Sequence, residues 1–101
     1  MSNVTNIILT AGVDEDRAVE KINSYLEEEA FGCLHRVDQY GSNGKVMECD
    51  VYIGAFNYLD VEGLVGLIKG ASWYYPEDVQ LFVKRQDEEK FTDVLVAGVM
   101  E

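Results

Sequence analysis

Proline is nearly missing from this sequence, whose 101 residues include one, Pro76. Glycine is ordinary in number at nine, so the sequence predicts neither a linker nor a low-complexity tract. The composition, 48% hydrophobic and 27% charged, is typical of a globular protein. We therefore expect residues 1–101 to form a single domain, which at this length can bury an adequate core without disulfides or metals.

Basic residues are scarce as well. Eight Lys and Arg stand against 19 Asp and Glu, for a formal net charge of −11. Nucleic-acid affinity comes mainly from Lys and Arg that displace counterions, and anionic lipids attract the same residues. The charge therefore argues against direct binding to nucleic acid or to a membrane surface. A protein partner would have to be basic at the contact, although solubility alone also explains an acidic surface.

Long hydrophobic runs are missing too. The first 12 residues, MSNVTNIILTAG, have no basic segment and only a short apolar run, which is unlike a secretory signal. No stretch approaches the roughly 18 to 20 apolar residues that a membrane-spanning helix needs. These absences predict a cytoplasmic protein whose two cysteines, Cys33 and Cys49, are reduced. Because no CxxC motif, Cys/His cluster or glycine-rich phosphate motif occurs, we expect no metal and no cofactor.

What the sequence does contain is a series of apolar segments separated by turn and cap signals. Strands are predicted where apolar or alternating residues run between turn residues, and helices where apolar residues recur every three or four positions behind an acidic cap. The predicted strands are Val4–Thr10, Cys33–Tyr40, Lys45–Phe56, Val79–Arg85 and Phe91–Val99, and the predicted helices follow Asp14–Asp16 and Asp60 and end near Gly32 and Gly70. Between the second and third strands, Gly41–Gly44 (GSNG) predicts a tight turn.

The order strand, helix, strand, strand, helix, strand, strand predicts an α+β protein. Its first six elements follow the βαββαβ pattern of ferredoxin-like folds, in which an antiparallel sheet carries both helices on one face. The extra C-terminal strand is expected to extend one edge of the sheet by pairing with the fourth strand. Many unrelated proteins share this fold, so it predicts no function.

The sheet face without helices is predicted to be partly apolar. The residues that we expect on this open face are Glu48, Asp50, Tyr52, Phe82, Val94 and Val96. Alternate residues of a strand lie on opposite faces, so the other residues of the third strand are predicted to point into the core: Met47, Cys49, Val51, Ile53 and Ala55. The apolar members of the open face would form a strip ringed by charge, and monomers rarely leave such a patch bare. We therefore expect the face to form a homodimer or to contact another protein.

Three consecutive aromatic residues precede the proline, in the stretch GASWYYPEDVQLF at residues 70–82. In a loop that leaves a helix, one or two of Trp73, Tyr74 and Tyr75 can seal the end of the core while the others point outward. They can equally anchor a partner, because protein interfaces favour Trp and Tyr. Glu77 and Asp78 would then meet basic residues of that partner. This interpretation predicts an inhibitor or an immunity-type protein that covers a basic site of its target.

Groups suited to catalysis are sparse. The lone histidine, His35, has no Ser or Cys motif around it, and we assign no catalytic residue. The alternative hypothesis is a small-molecule-binding protein or a small enzyme, with Glu48, Asp50 and Tyr52 lining a pocket on the open face. A variant of the inhibitor hypothesis is a nucleic-acid mimic, whose fold would have to align separate acidic groups: 14–16, 27–29, 77–78 and 87–89. Overall the residues favour a non-catalytic, protein-binding role.

Overall fold

The computed structural model describes residues 3–39 and 46–95. Its strands are β1 (Val4–Gly12), β2 (His35–Arg36), β3 (Cys49–Asn57), β4 (Gln80–Arg85) and β5 (Thr92–Asp93), and its helices are α1 (Asp16–Glu28) and α2 (Val61–Gly70). A short 3₁₀ turn, Pro76–Asp78, lies between α2 and β4. The predicted turn at Gly41–Gly44 and the part of the predicted last strand beyond residue 95 lie outside the described residues.

The described strands form a five-stranded sheet in the order β2-β3-β1-β4-β5, and every neighbouring pair is antiparallel. β1 occupies the centre because it is apolar on both faces, with Ile7 and Leu9 on one and Ile8 on the other. The last described strand pairs with β4. The prediction of an α+β protein with an antiparallel sheet and two helices is confirmed for the described residues.

Both helices cover the same face of the sheet. Ile22 of α1 and Leu64 and Ile68 of α2 belong to one buried cluster together with residues of β1, among them Ile7 and Leu9. The apolar residues of each helix recur at three- and four-residue spacing, so each helix presents one apolar stripe to the sheet. Fully burying one such side chain contributes about 1.5–3 kcal/mol, and this layer supplies the core of the described chain.

The predicted facing of β3 is wrong. Tyr52 pairs with Leu9 of β1, on the face that the helices cover. Ile53 pairs with Ile8, on the open face. The exposure of the two neighbours agrees, since Tyr52 is 5% and Ile53 45% exposed. Asp50 stands two residues before Tyr52 in the strand and shares the covered face, so neither of these predicted open-face residues lies there.

Two aromatic rings explain why β3 faces this way. Phe56 shares the covered face with Tyr52 and is also buried. Rings of this size bury roughly 150–250 Å² each, and only the layer between sheet and helices can take them. Gly54 lies between the two rings, and a Cβ there would come within 2.6 Å of Cζ of Phe56. The ring of Phe56 therefore lies across the bare backbone of Gly54, which leaves the smaller Val51 and Ala55 on the open face.

The other residues predicted for the open face have mixed outcomes. Phe82 lies on that face, where it pairs with β1. Glu48 is exposed but precedes β3. Val94 is not on the open face, because its N–H donates to a carbonyl oxygen of β4 at 2.9 Å and its side chain packs against the buried cluster. The chain bends after β5 and directs Leu95 into the core. Val96 lies outside the described residues.

Candidate functional site

A buried carboxylate fixes the aromatic loop. Glu15 precedes α1 and is 1% exposed. Its Oε1 accepts a hydrogen bond from the backbone N–H of Tyr74 at 3.0 Å, and its Oε2 accepts one from the backbone N–H of Tyr75 at 2.9 Å. Hydrogen bonds to an ionised carboxylate are about twice as strong as neutral ones. The start of α1 and the loop after α2 are therefore held together across roughly 60 residues of sequence.

Trp73 lies on the core side of this loop. Its indole Nε1–H donates to the carbonyl oxygen of Ile68 at 2.7 Å, and the ring packs against the buried cluster. The last carbonyl groups of a helix have no partner four residues further along, and here the indole joins the backbone N–H of Ala71, at 3.3 Å, as a donor to one of them at the end of α2. The structure thus places Trp73 where it seals the end of the core.

Tyr74 and Tyr75 point the other way. They are 61% and 53% exposed, although their backbone is held by Glu15. The Tyr74 hydroxyl accepts a hydrogen bond from Nη1 of Arg17 at 3.4 Å, and the Tyr75 ring lies close to Gly12 at the end of β1. Two phenol rings on a fixed backbone form a ready contact surface.

An open groove with acidic walls lies beside Tyr75, where β1 ends and β3 and β4 begin, while the Tyr74 side chain lines a separate depression with Arg17 and Lys21 of α1. This acidic groove has a volume of about 730 Å³ and is lined by Thr10, Gly12, residues 46–49, residues 77–78 and Gln80. Glu48, Glu77 and Asp78 supply three carboxylates, and none of the described lining residues is basic. Val46 and Met47 add exposed apolar surface between them. Such a groove suits a partner that is cationic and partly apolar.

Apolar exposure continues next to the groove. Val13, which follows β1, is 51% exposed and shares a neighbouring depression with Val46 and Met47. Together with Tyr74 and Tyr75 these three residues place five large exposed apolar side chains at one end of the sheet. This end combines the two features of protein contacts, apolar anchors and complementary charge.

The alternative site of Glu48, Asp50 and Tyr52 is not assembled. Glu48 lines the acidic groove, while Asp50 lies in the neighbouring depression, where its Oδ2 is 4.0 Å from Nη1 of Arg36. Tyr52 is in the core, and burial, with a smaller contribution from the Asp50 carboxylate, raises the pKa of its phenol above 10.0. None of the described depressions is lined by all three side chains.

Other reactive groups are also dispersed. His35 is exposed in β2, where Nε2 lies 3.9 Å from Sγ of Cys33. Within residues 3–39 and 46–95, no three His, Cys, Asp or Glu side chains are grouped so that they could hold a metal ion. In the same part of the chain, no helix combines the length and the apolar character that crossing a membrane demands.

No family model, curated protein or solved structure matches this chain.

Sequence reasoning found the aromatic loop and its two acids but missed the groove beside it. The Asp14–Asp16 group was expected to cap α1, yet the Glu15 side chain makes no cap and bonds to the loop instead. Bonds to residues 59 and 60 positions away leave no local pattern in a sequence. Val46 and Met47 carried a signal, since both are apolar beside a predicted turn, but the wrong facing of β3 obscured Met47.

Proposed function

We propose that this protein, acting as one domain, is a non-catalytic binding protein whose acidic groove and adjoining tyrosines cover a basic site on another protein. Inhibitors and immunity-type proteins act in this way. The observation that carries the proposal is the buried carboxylate of Glu15, which fixes the backbone of Tyr74 and Tyr75 while both rings stay exposed. Anchors that are already ordered lose little conformational entropy on binding.

Charge supports the same proposal. The chain carries a formal −11, and Glu48, Glu77 and Asp78 concentrate part of that charge around the groove. A negative surface of this kind steers a basic partner toward it and raises the association rate, most strongly at low salt. Contacts of the apolar anchors then slow dissociation.

We further propose that the fold is ferredoxin-like and that the protein acts in the cytoplasm. The strand order β2-β3-β1-β4, with β5 as an added edge strand, supports the first proposal. Free thiols at Cys33 and Cys49 support the second, since reducing compartments keep cysteines in that state. Neither proposal alters the function, because this fold carries many functions.

Affinity capture from native lysate tests the binding proposal with three baits: the wild-type chain, the double variant Tyr74→Ala with Tyr75→Ala, and the control Tyr58→Ala. Tyr58 is equally exposed but lies after β3, away from the loop. We expect a protein that the wild type and the control retain and the double variant loses. If every retained protein is shared by all three baits, the tyrosines bind nothing and the proposal fails.

A second measurement uses the captured protein in purified form. Replacing Glu48, Glu77 and Asp78 by Gln, Gln and Asn should weaken binding by more than tenfold at low salt and less at high salt, because surface charges are screened there. The matched control replaces three exposed acids of α1 and its end, Glu27, Glu28 and Glu29, by Gln and changes the net charge equally. Equal losses in both variants would mean that net charge, rather than the groove, attracts the partner.

A further inference from the structure

The open face of the sheet has an apolar centre. Register aligns five residues in one row across the sheet, one from each strand: His35, Ile53, Ile8, Phe82 and Asp93. The three central residues are apolar, Ile53 is exposed, and Ile8 and Phe82 are half-buried. Neighbouring rows add Val51 and Ala55 of β3 beside them. Within residues 3–39 and 46–95, no helix lies on this side of the sheet.

The open face is also poor in acids. Among the described strand residues that alternate onto it, three carry acidic or basic side chains, namely His35, Lys84 and Asp93. The whole chain has 19 acidic residues, so acids are a much smaller share of this face than of the chain. It offers a basic partner no surplus of negative charge, and it offers nucleic acid no basic surface.

We propose that a second copy of this chain covers the open face, related by a two-fold axis that runs parallel to β1 between the two sheets. A contact between two molecules of charge −11 needs a surface without surplus acids, and among the described strands the open face is that surface. The sheet suits the symmetry because β1 is the third of five strands. The rotation lays β2 over the other copy's β5 and β3 over its β4.

The side chains of the central row match under this rotation. Ile8 meets its own equivalent at the axis, and Phe82 of each copy lies over Ile53 of the other, so the apolar contact is made twice. The row begins with His35 and ends with Asp93, so each imidazole faces a carboxylate of the other copy. Sheets that pack in this aligned way lie about 10 Å apart, with their mean strand directions within about 30° of each other.

Edge-to-edge pairing is the competing arrangement, and the structure disfavours it. The outermost strands, β2 and β5, have two residues each, so they present few free backbone groups to another chain. Short edge strands of this kind are a common device against strand addition. A second copy therefore gains more by stacking on the face than by extending the sheet.

The proposed dimer does not depend on the proposed function. Dimerisation and partner binding should respond to salt in opposite directions. Screening weakens repulsion between two molecules of like charge, so added salt should tighten the dimer. The same screening should loosen the attraction between the acidic groove and a basic partner. A dimer that weakens with salt would contradict the stacking arrangement.

Sedimentation equilibrium over a range of concentrations tests the dimer. We expect the wild-type chain to dimerise, and Ile53→Glu to raise the dissociation constant at least tenfold. The control is Val13→Glu, which adds the same charge at a residue that is 51% exposed, against 45% for Ile53, but lies outside the open face. Far-ultraviolet circular dichroism verifies that both variants fold. A monomeric wild type, or equal dimerisation of wild type and Ile53→Glu, overturns the proposal.

A charge exchange tests the direction of the axis. His35→Asp places two carboxylates opposite each other and should weaken the dimer several-fold, and Asp93→His should also weaken it, because it removes the carboxylate that each His35 faces. The double variant restores an opposite pair and should return to within about threefold of the wild-type dissociation constant. If the two losses simply multiply in the double variant, His35 does not face Asp93 and the proposed arrangement is wrong.

Discussion

The acidic groove and the open face of the sheet both expose apolar residues, but acids surround these residues in the groove and are scarce around them on the open face. At the groove, Val46 and Met47 lie among three carboxylates and next to tyrosines whose backbone is fixed. On the open face, Ile8, Ile53 and Phe82 lie in the middle of a strip with one acid at its margin. The formal charge of −11 is a total for the whole chain, so it does not reveal that acids surround one of these surfaces and are scarce on the other. Local charge, rather than the total, indicates which partner each surface can accept.

The largest expected effect tests the facing of β3, on which this comparison depends. Tyr52→Ala should lower the free energy of unfolding by about 3–5 kcal/mol, because it removes a buried ring. Ile53→Ala, one residue further, should cost about 1 kcal/mol or less in the monomer, since that side chain is 45% exposed. Urea denaturation at low protein concentration measures both. Equal losses would mean that β3 does not separate a covered face from an open one.

The next prediction concerns the loop beside the groove, whose backbone is held by Glu15. Glu15→Ala should destabilise the protein by about 2–4 kcal/mol, because it removes two hydrogen bonds of about 1.5–3 kcal/mol each while it also relieves part of the desolvation cost of a buried carboxylate. Amide hydrogen exchange at Tyr74 and Tyr75 should accelerate with it. The control Asp16→Ala changes the exposed neighbour and should leave those two amides unaltered. If exchange at Tyr74 and Tyr75 is already fast in the wild type, Glu15 does not hold the loop.

A pair of glycine substitutions sharpens the description of the covered face. Gly54→Ala should cost about 1–3 kcal/mol, because the new Cβ would lie 2.6 Å from the Phe56 ring. Gly66→Ala in α2 meets nothing within 4 Å and should stabilise the helix by about 0.5–1 kcal/mol. Thermal unfolding resolves the opposite signs. A neutral Gly54→Ala would show that the ring does not cross this backbone.

The smallest expected effect concerns pH. Burial, followed by the carboxylates of Asp50 and Asp16, raises the pKa of Tyr52 above 10.0, although Arg36 opposes the shift. The folded chain therefore holds this proton more tightly than the unfolded chain, so the free energy of unfolding should fall as pH rises above about 10. In the Tyr52→Phe variant the free energy of unfolding, measured by urea denaturation at several pH values, should fall less steeply as pH rises. Some dependence should remain, because burial also raises the pKa of Tyr25. An unchanged slope would place the phenol in water.

Much of the fold could be predicted because its signals are local. The apolar residues of β1 and of both helices recur with the period of their element, and Asp60 caps α2 through a hydrogen bond from Gly63 N–H to its Oδ1 at 3.1 Å, as expected. The alternation in β4 likewise predicted that Phe82 lies on the open face, and Leu81 and Val83 are buried on the other side of the strand. Each of these signals involves residues a few positions apart.

The facing of β3 could not be predicted in the same way. Both of its faces carry apolar residues, so alternation alone does not distinguish them. The decision rests on how the rings of Tyr52 and Phe56 fit beneath the helices, which are contacts between distant parts of the chain. The same limit applies to the candidate site. The aromatic run was visible, whereas its attachment to Glu15 was not.

Trp73 gives the molecule a built-in optical probe. It is the single tryptophan of the chain, and its indole is tied to the end of α2 one residue before the exposed tyrosines. Emission excited in that ring therefore comes from one known position, at the end of α2 and on the core side of the aromatic loop. Titration with a partner can be followed without a label, while stacking of a second copy on the strands should leave the emission maximum where it was.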